Sequence, residues 1–356
     1  MAIPICIIGN LIFNNKKKEI PKKIDKILFF KIGALGDILM TTPFVKAVRK
    51  GFPHATLDYA CGKSYSNVLK GNKSINYLIE FDEKIFFENN IKELRTLARK
   101  LKENKYDIIF VLDQHWATGV FAYLADSFRI GFNRNGEGFE NNLNVFYTQK
   151  KHDIDAYLDL GIYFKLDHHD KKMVLPITEK DRTFAKKLVY KNTVAVAPGG
   201  GVNTGQNGKI KIWPKENYLD IVDELSKKFN ILLVGGKEDR KTSKWIYKHA
   251  RSKKKIKDLC GRTNIRQTGA MLELCRFVIC NDSGAMHIAS CVNDNIVSLF
   301  GPTNPHVLAP LNKNSTFLWK EKQACRDIYG KFTKCDRDIM NKISVEEVLN
   351  ATKKFR

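Results

Sequence analysis

The sequence predicts an α/β protein with two successive domains, each built around a parallel β-sheet. Short apolar runs of strand length alternate with longer segments of helical periodicity along most of the chain. Several of these runs end directly in glycine-containing turns, which is typical of parallel strands that lead into helices. With 356 residues, 43% of them hydrophobic, the chain is long enough to fill two such cores.

The first domain, which we place at residues 1–175, opens with an apolar strand over 26–32. The turn 33–37 follows with the pattern GxxGD, and a helix is predicted over 38–50. The other predicted elements of this domain are strands over 56–60, 77–81 and 106–112 and an amphipathic helix over 91–104. A strand that ends in GxxGD before a helix is typical of a nucleotide-binding-like domain, although this pattern is less specific than GxGxxG.

The segment that follows carries weaker patterns. Residues 131–144 are rich in glycine and asparagine, which predicts a loop, and 152–165 predicts a helix. A polar stretch then ends at Pro176. We expect the domain boundary in this region.

The second domain, residues 176–335, begins with a strand over 193–197 and a turn that contains three glycines, 199–201. Its other predicted elements are helices over 215–229, 265–275 and 285–290 and strands over 231–234, 277–280 and 296–300. The remaining residues, 336–356, are expected to form a terminal segment with a helix over 345–355. This helix could pack back on the first domain.

The stretch 278–305 has the strongest pattern in the chain: strand, polar turn, helix, strand. Its turn is Asn281-Asp282-Ser283-Gly284. Such a turn points free backbone N–H groups and the positive end of a helix dipole at one place, which favours an anion such as a diphosphate. An ordinary capped helix is the simpler alternative. Two domains of this kind are expected to leave a cleft between them, with ligands at the carboxyl ends of the strands.

The formal net charge of +23 allows three explanations. The protein could bind nucleic acid, or it could be attracted to an anionic membrane surface. The charge could also reflect only a lysine-rich composition spread over solvated helices. Local basic clusters occur at 16–26 and 251–257. Because no RNA-recognition, zinc-finger or helix-turn-helix signature accompanies them, we favour compositional bias with a consequence at the membrane surface.

The first residues and the cysteines bear on location. Residues 1–13 are apolar but shorter than a spanning helix, and their positive charges follow the apolar run, whereas a secretory signal carries them before it. The eight cysteines are scattered without a CxxC pair, so reduced thiols are expected, and only Cys325 and Cys335 are close enough to suggest a metal site or a disulfide. These features predict a cytoplasmic protein, peripheral to the inner membrane.

Several motifs share an order and spacing that we know from one family. They are Lys31-Ile32-Gly33-Ala34-Leu35-Gly36-Asp37, Thr41-Thr42-Pro43, Pro198-Gly199-Gly200, Lys211-Ile212-Trp213-Pro214, Gly235-Gly236, Asn281-Asp282-Ser283-Gly284 with His287, and Phe300-Gly301-Pro302-Thr303. Together they resemble glycosyltransferase family 9, the ADP-heptose:lipopolysaccharide heptosyltransferases. The match extends over 26–52 and 193–310 and is weak elsewhere. It implies the GT-B fold, in which two Rossmann-like domains face a central cleft and bind acceptor and nucleotide-sugar respectively.

The resemblance also implies roles for individual residues. Asp37 corresponds to the catalytic base. The donor-binding positions are Lys211 at the phosphates, Asp282, Ser283, Gly284 and His287 around the turn, and Glu238 and Thr263 near the nucleoside. Simpler roles are open for some of them: Asp37 and Asp282 could be helix caps, and His287 could be a packed core histidine.

The resemblance leads us to expect an inverting transfer of heptose from ADP-heptose to a lipopolysaccharide core or a related surface glycan. The acceptor would be a lipid-linked anionic glycan, with no nucleic acid involved. No DxD-like pair is placed beside a phosphate site, so we expect neither a metal nor any cofactor besides the donor substrate. The alternatives are a glycosyltransferase of the same fold with another nucleotide-sugar, a sugar-nucleotide epimerase, and a basic nucleic-acid-binding protein.

Overall fold

The computed structural model describes residues 19–86, 88, 90–113, 116–134, 137–201, 208–321, 324–325, 335–336 and 338–355. The apolar segment 1–13 and the first lysines of the 16–26 cluster lie outside the described residues. The chain divides into two compact units, Met1–Val174 and Leu175–Arg356. The division falls one residue before the predicted boundary.

The first unit contains a six-stranded parallel sheet with the strand order β3-β2-β1-β4-β5-β6. Its strands are β1 (Lys26–Lys31), β2 (Thr56–Gly62), β3 (Tyr77–Phe81), β4 (Ile108–Val111), β5 (Phe128–Asn133) and β6 (Leu143–Phe146). Its helices are α1 (Leu35–Gly51), α2 (Ile91–Glu103), α3 (Trp116–Tyr123) and α4 (Asp153–Asp159).

Adjacent phenylalanines of β1 fill the two faces of this sheet. Phe29 packs edge to face against Phe44 of α1, with ring centroids 5.8 Å apart. Phe30 points to the other face and stacks on Phe121 of α3 at 5.3 Å. Because successive side chains of a strand alternate in direction, one apolar run covers both faces, which is why the four central residues of β1, 27–30, are all apolar.

The region 128–165 differs from the sequence prediction. The predicted loop 131–144 contains the end of β5 and the start of β6, and the predicted helix 152–165 ends at Asp159 before a short 3₁₀ turn, Ile162–Phe164. Both strands are short, and β6 is the half-exposed edge strand of the sheet. An edge strand needs no continuous apolar run, so its pattern is weak.

The second unit has its own six-stranded parallel sheet, with the order β12-β11-β10-β7-β8-β9. Its strands are β7 (Thr193–Ala197), β8 (Asn230–Leu233), β9 (Ile256–Asp258), β10 (Val278–Asn281), β11 (Ile296–Phe300) and β12 (Thr316–Trp319). Its helices are α5 (Glu179–Lys186), α6 (Lys215–Ser226), α7 (Arg240–His249), α8 (Ile265–Leu274), α9 (Gly284–Val292), α10 (Pro305–Leu308) and α11 (Val345–Ala351).

The terminal helix α11 belongs to the second unit, whereas the sequence allowed it to return to the first. It packs on α6 and β12, and Val348 joins the core of the second sheet. The ring of Phe355 lies 5.7 Å from that of Phe277, and Nε of Arg276 donates to the carbonyl of Phe355. These contacts fix the end of the chain within the second unit.

The expectation that all cysteines are reduced thiols is wrong for one pair. Cys325 and Cys335 form a disulfide, with their Cα atoms 5.3 Å apart. The five other cysteines of the described chain are free and buried, where they pack as small apolar side chains. Among the described residues, no helix is both long and apolar enough to cross a membrane.

Candidate active site

The residues predicted to bind the donor lie at the carboxyl ends of the strands of the second sheet, which we call its carboxyl edge. The chain runs from β7 outward to β8 and β9, then returns to place β10 on the other side of β7. Loops that leave the carboxyl ends of β7 and β10 therefore diverge and open a crevice, where open parallel sheets bind their ligands. The glycine-rich turn 199–201 and the turn at Asp282 flank this point.

Asp282 is the most strongly bonded carboxylate of this edge. Its Oδ2 atom accepts hydrogen bonds from Nζ of Lys211 and from Oγ1 of Thr303, each at 2.7 Å. Lys211 and Asp282 are almost fully buried. Lys211 follows β7 through a short 3₁₀ turn, Gly208–Lys211, and Thr303 follows β11, so three separate loops converge on one carboxylate.

The charge state of Asp282 follows from these partners. Burial alone would raise the pKa of its carboxyl group, but the positive charges of Lys211 and His287 and the hydrogen bonds from Lys211 and Thr303 lower the pKa to about 2. Asp282 is therefore ionised at neutral pH. It holds the Lys211 ammonium at the mouth of the crevice.

Asn281 ties the two flanking loops together. Its side chain is fully buried; Nδ2 donates to the carbonyl of Gly199 at 3.0 Å, and Oδ1 accepts from the hydroxyl of Tyr218 at 2.8 Å. The neighbouring Trp213 is also fully buried, and its Nε1 atom donates to the carbonyl of Ile343. Apolar packing and these bonds hold the segment before α6 in place, and Lys211 with it.

Ser283 begins helix α9 and carries an unused hydrogen-bonding group. It is the N-cap residue, yet its side chain makes no capping bond, and Oγ is buried without a partner in the described part of the chain. Gly201 lies beside it, with a positive φ of 70°, and a side chain there would meet Ser283 and the amide nitrogen of Gly284. The backbone of the β7 turn thus lies against the N-terminus of α9, where helix amides favour an anion.

His287 is buried one helical turn after Ser283. Its charge helps to lower the pKa of Asp282, so its ring lies within electrostatic range of the ion pair. The structure thus brings together Lys211, Asp282, Ser283, Gly284 and His287 at one edge.

The two residues predicted near the nucleoside lie farther along the same edge. Glu238 is exposed in the loop after β8. The next residue, Asp239, is turned inward: its Oδ2 atom accepts from the amide of Gly236 at 2.8 Å. A methyl group at Gly199 would come within 2.1 Å of the Asp239 carboxylate, and one at Gly235 within 2.6 Å. Burial raises the pKa of Asp239.

Thr263 follows β9 and is half-buried. Its hydroxyl lies 2.9 Å from that of Thr268 in α8. This bond fixes the loop before α8 but leaves one hydroxyl lone pair for another donor.

The first unit has an equivalent edge around Asp37. The strand order places β1 beside β4 at the point where the chain reverses direction across the sheet. Nζ of Lys31 lies 3.2 Å from Oδ1 of Asp113, and Oδ2 of Asp113 accepts from the amide of Ile32 at 2.7 Å. Burial would lower the pKa of Lys31, but the charges of Asp113 and Asp37 outweigh it and raise that pKa.

Asp37 is not the N-cap of α1. The cap is Ala34, and Asp37 lies in the first turn of the helix with its side chain half-buried. Its carboxylate is close enough to Lys31 to contribute to the raised pKa of that lysine. A half-buried carboxylate beside a buried cation at the carboxyl edge of a parallel sheet is available to a bound ligand.

Comparison with known families identifies this arrangement. The model of glycosyltransferase family 9 (heptosyltransferase) matches residues 94–335, about two thirds of the chain. The chain belongs to glycosyltransferase family 9. The resemblance drawn from the sequence motifs is therefore confirmed, and so is the expectation that the protein is a glycosyltransferase.

Characterised relatives of this family 9 protein are similar over most of their length. A lipooligosaccharide heptosyltransferase 2 from Campylobacter jejuni is 24% identical over 332 residues, which cover 88% of this chain and 95% of the relative. The lipopolysaccharide core heptosyltransferase OpsX from Haemophilus influenzae is 22% identical over 360 residues, which cover 95% and 98% of the two chains.

Solved structures of other family members share the fold. A family 9 glycosyltransferase from Veillonella parvula has a TM-score of 0.78 at 22% identity, covering 94% of this chain and 98% of that one. The ADP-heptose heptosyltransferase II of Escherichia coli has a TM-score of 0.73 at 19% identity, covering 93% and 98%. The prediction of an α/β protein of the GT-B class with two Rossmann-like domains is confirmed.

The family 9 motifs did not identify every residue of these edges. Lys31 and Thr303 lie within the motifs but were given no role at the site, and Asp113 and Asp239 lie outside the motifs. Lys31 carried a signal, since a charged residue inside an apolar strand needs a buried partner. The partner itself depends on the strand order.

Proposed function

We propose that this protein transfers a heptose from ADP-heptose to a lipopolysaccharide core or a related surface glycan, with inversion at the anomeric carbon. The observation that carries the proposal is the buried Lys211–Asp282 pair beside the N-terminus of α9. A cation and free helix amides at one point suit the diphosphate of a nucleotide-sugar. The family membership and the heptosyltransferase activity of the relatives named above support heptose as the sugar.

In the proposed reaction, Asp37 is the base. Its carboxylate takes the proton from an acceptor hydroxyl while that oxygen forms a bond to the anomeric carbon. The bond from this carbon to the diphosphate oxygen breaks, and its electron pair leaves with ADP. General-base catalysis of this kind contributes about 10²–10⁴-fold. The buried ion pair between Lys31 and Asp113 fixes the turn before α1 and therefore the position of Asp37.

The second unit stabilises the leaving group. Negative charge grows on the ADP diphosphate as the bond breaks. The ammonium of Lys211, the hydroxyl of Ser283 and the first amides of α9 are placed to receive that charge. We propose that these groups suffice without a metal ion, so that chelation leaves the rate unchanged.

The nucleoside would lie farther along the edge, toward β8 and β9. Glu238 is exposed there and Thr263 keeps a free lone pair, so both remain candidates for contacts to the ribose or the base. Asp239 adds a second carboxylate next to Glu238. Its side chain is bonded to Gly236, which fits a role in shaping the loop.

The acceptor follows from the same assignment. We propose a lipid-linked anionic glycan at the cytoplasmic face of the inner membrane. The excess of positive charge, +23 over the chain, favours approach to such a surface by about 1 kcal/mol for each basic residue close to it.

Calorimetric titration with ADP, UDP and GDP tests the donor assignment. We expect ADP to bind more tightly than the other two nucleotides, and Lys211→Ala to weaken ADP binding at least tenfold. Selective binding of UDP or GDP would replace the donor and keep the reaction class. If ADP binds most tightly, the second assay measures transfer of heptose from ADP-heptose to a heptose-deficient lipopolysaccharide acceptor. Turnover of the donor without any acceptor would instead indicate an epimerase.

A further inference from the structure

One short segment of the second unit is unusually rich in basic residues. Between residues 240 and 257, nine of eighteen residues are lysine or arginine and none is acidic, whereas the whole chain has 61 basic and 38 acidic residues in 356. The overall lysine content does not account for this density. Six lysines in the segment are exposed: Lys241, Lys244, Lys248, Lys253, Lys254 and Lys255. We call them the lysine patch.

Helix α7 carries three of these lysines, and the turn before β9 carries the other three. Lys241, Lys244 and Lys248 are spaced by three and four residues, which places them on one face of the helix. Lys253–Lys255 form the 3₁₀ turn that leads into β9. In the part of the chain that the structure describes, none of the six forms an ion pair, so their charges are not neutralised within the molecule.

Half of the lysine patch lies away from the proposed donor site. Lys253–Lys255 directly precede β9, so this part of the patch lies at the amino ends of the strands, whereas the Lys211–Asp282 pair lies at the carboxyl ends. β9 is also the edge strand of the sheet. The patch therefore extends from the first turn of α7, just after Asp239, to the amino end of β9. Lys253–Lys255 are at the opposite end of the strands from the Lys211–Asp282 pair.

We propose that the lysine patch is the surface by which this protein docks on an anionic lipid bilayer. Lysine ammonium groups act as mobile point charges, which suits a fluid layer of phosphates, whereas arginine is favoured for bidentate contacts to nucleic acid. Tyr247 is 39% exposed and lies one helical turn from Lys244. An exposed tyrosine suits the interface between headgroups and acyl chains. The choice of lipid over nucleic acid also rests on the lipid-linked acceptor of the proposed function.

Vesicle co-sedimentation of the full chain tests the surface. The probes are phosphatidylcholine vesicles with and without about one third phosphatidylglycerol, because each basic residue near an anionic surface strengthens binding about fivefold. We expect binding only to the anionic vesicles. The variants K241Q/K244Q/K248Q and K253Q/K254Q/K255Q should each weaken it more than tenfold. Glutamine preserves helix propensity, so α7 should still form.

A control variant removes the same charge elsewhere. K92Q/K100Q/K102Q neutralises three exposed lysines of α2 in the first unit and should change vesicle binding less than threefold. Equal losses in the control and patch variants would overturn the proposal in favour of a general charge effect. Binding of the patch to single-stranded RNA at physiological salt, with none to anionic vesicles, would overturn it in favour of nucleic acid. The assay contains neither donor nor acceptor, so a failure of ADP binding in calorimetry would count against the proposed function alone.

Discussion

The ammonium group of Lys211 lies 2.7 Å from Oδ2 of Asp282, and the two side chains are 10% and 4% exposed. A pair this deeply buried loses most of its hydration, so its attraction contributes little net stability. The pair instead fixes the position of the Lys211 ammonium group. A phosphate that reaches Lys211 would meet an ammonium group whose position is fixed by Asp282.

We expect Lys211→Ala to lower the free energy of unfolding by about 3 kcal/mol, because Asp282 is left as a buried charge without its main partner. Urea denaturation measures the change. The exposed Lys209, in the same 3₁₀ turn, is the matched control, and Lys209→Ala should have an effect below about 0.5 kcal/mol. The double variant Lys211→Ala/Asp282→Ala should lose less than the sum of the single variants. Strict additivity would show that the two side chains are not coupled.

Protonation of Asp282 at low pH should lower the free energy of unfolding. Its pKa is about 2 in the folded protein, below the ordinary value of 3.8, so its contribution to stability is present above pH 4 and is lost as the pH falls toward 2. The linked free energy is about 2 kcal/mol. Asp282→Asn should flatten this part of the curve of unfolding free energy against pH. A variant curve parallel to that of the wild type between pH 4 and 2 would contradict the assignment.

Ionisation of Glu140 should change the stability with pH in the direction opposite to that of Asp282. Burial raises the pKa of its carboxyl group from 4.5 to about 7, and Oε2 has no partner among the described residues. The contribution of Glu140 to the free energy of unfolding is therefore greatest below pH 4.5 and is lost as the pH rises through 7. Glu140→Gln should raise the stability at pH 8 relative to that at pH 5, as measured by chemical denaturation at both values. No change in the pH dependence would mean that Glu140 is ionised in the folded state.

Asp37→Asn should reduce the rate of heptose transfer by about 10²–10⁴-fold, since the amide cannot accept the acceptor proton. ADP affinity should stay within a factor of two, because the donor residues belong to the second unit. Steady-state kinetics and calorimetry on the same preparation separate the two effects. Asp82→Asn changes an exposed carboxylate of the first unit and should leave the rate unchanged. A variant of Asp37 with normal kcat would remove it as the base.

Reduction of the disulfide should destabilise the protein. Cys325 and Cys335 close a short loop, which contributes about 2–3 kcal/mol by restricting the unfolded chain. Thermal unfolding with and without dithiothreitol measures the loss. The variant Cys325→Ser/Cys335→Ser should start from the lower stability and no longer respond to the reductant. A response that persists in this variant would have to come from another cysteine.

The strands and the glycine turns of this fold could be predicted because burial on both faces makes parallel strands apolar along their whole length. The half-exposed edge strands β6 and β12 and the three-residue strand β9 lack that pattern and were missed. The buried strand β5 was missed as well, because Arg129 and Gly131 interrupt its apolar run. The pairs at the two sites could not be predicted either. Lys31 meets Asp113 only because β1 lies beside β4, and Thr303 meets Asp282 only because β11 lies beside β10. Sequence order alone does not give these neighbours.

The close approach of Gly199 and Gly235 to the Asp239 carboxylate constrains how this site can evolve. A side chain at either glycine requires Asp239 to move away from its bond with Gly236 or to be replaced by a smaller residue. We therefore expect a change at Asp239 to come first. Only after that step would a residue larger than glycine be accepted at 199 or 235. Lineages that keep Asp239 should therefore keep both glycines. Lineages that lose it are the ones in which we expect the proposed nucleoside end of the site to accept larger residues and another base.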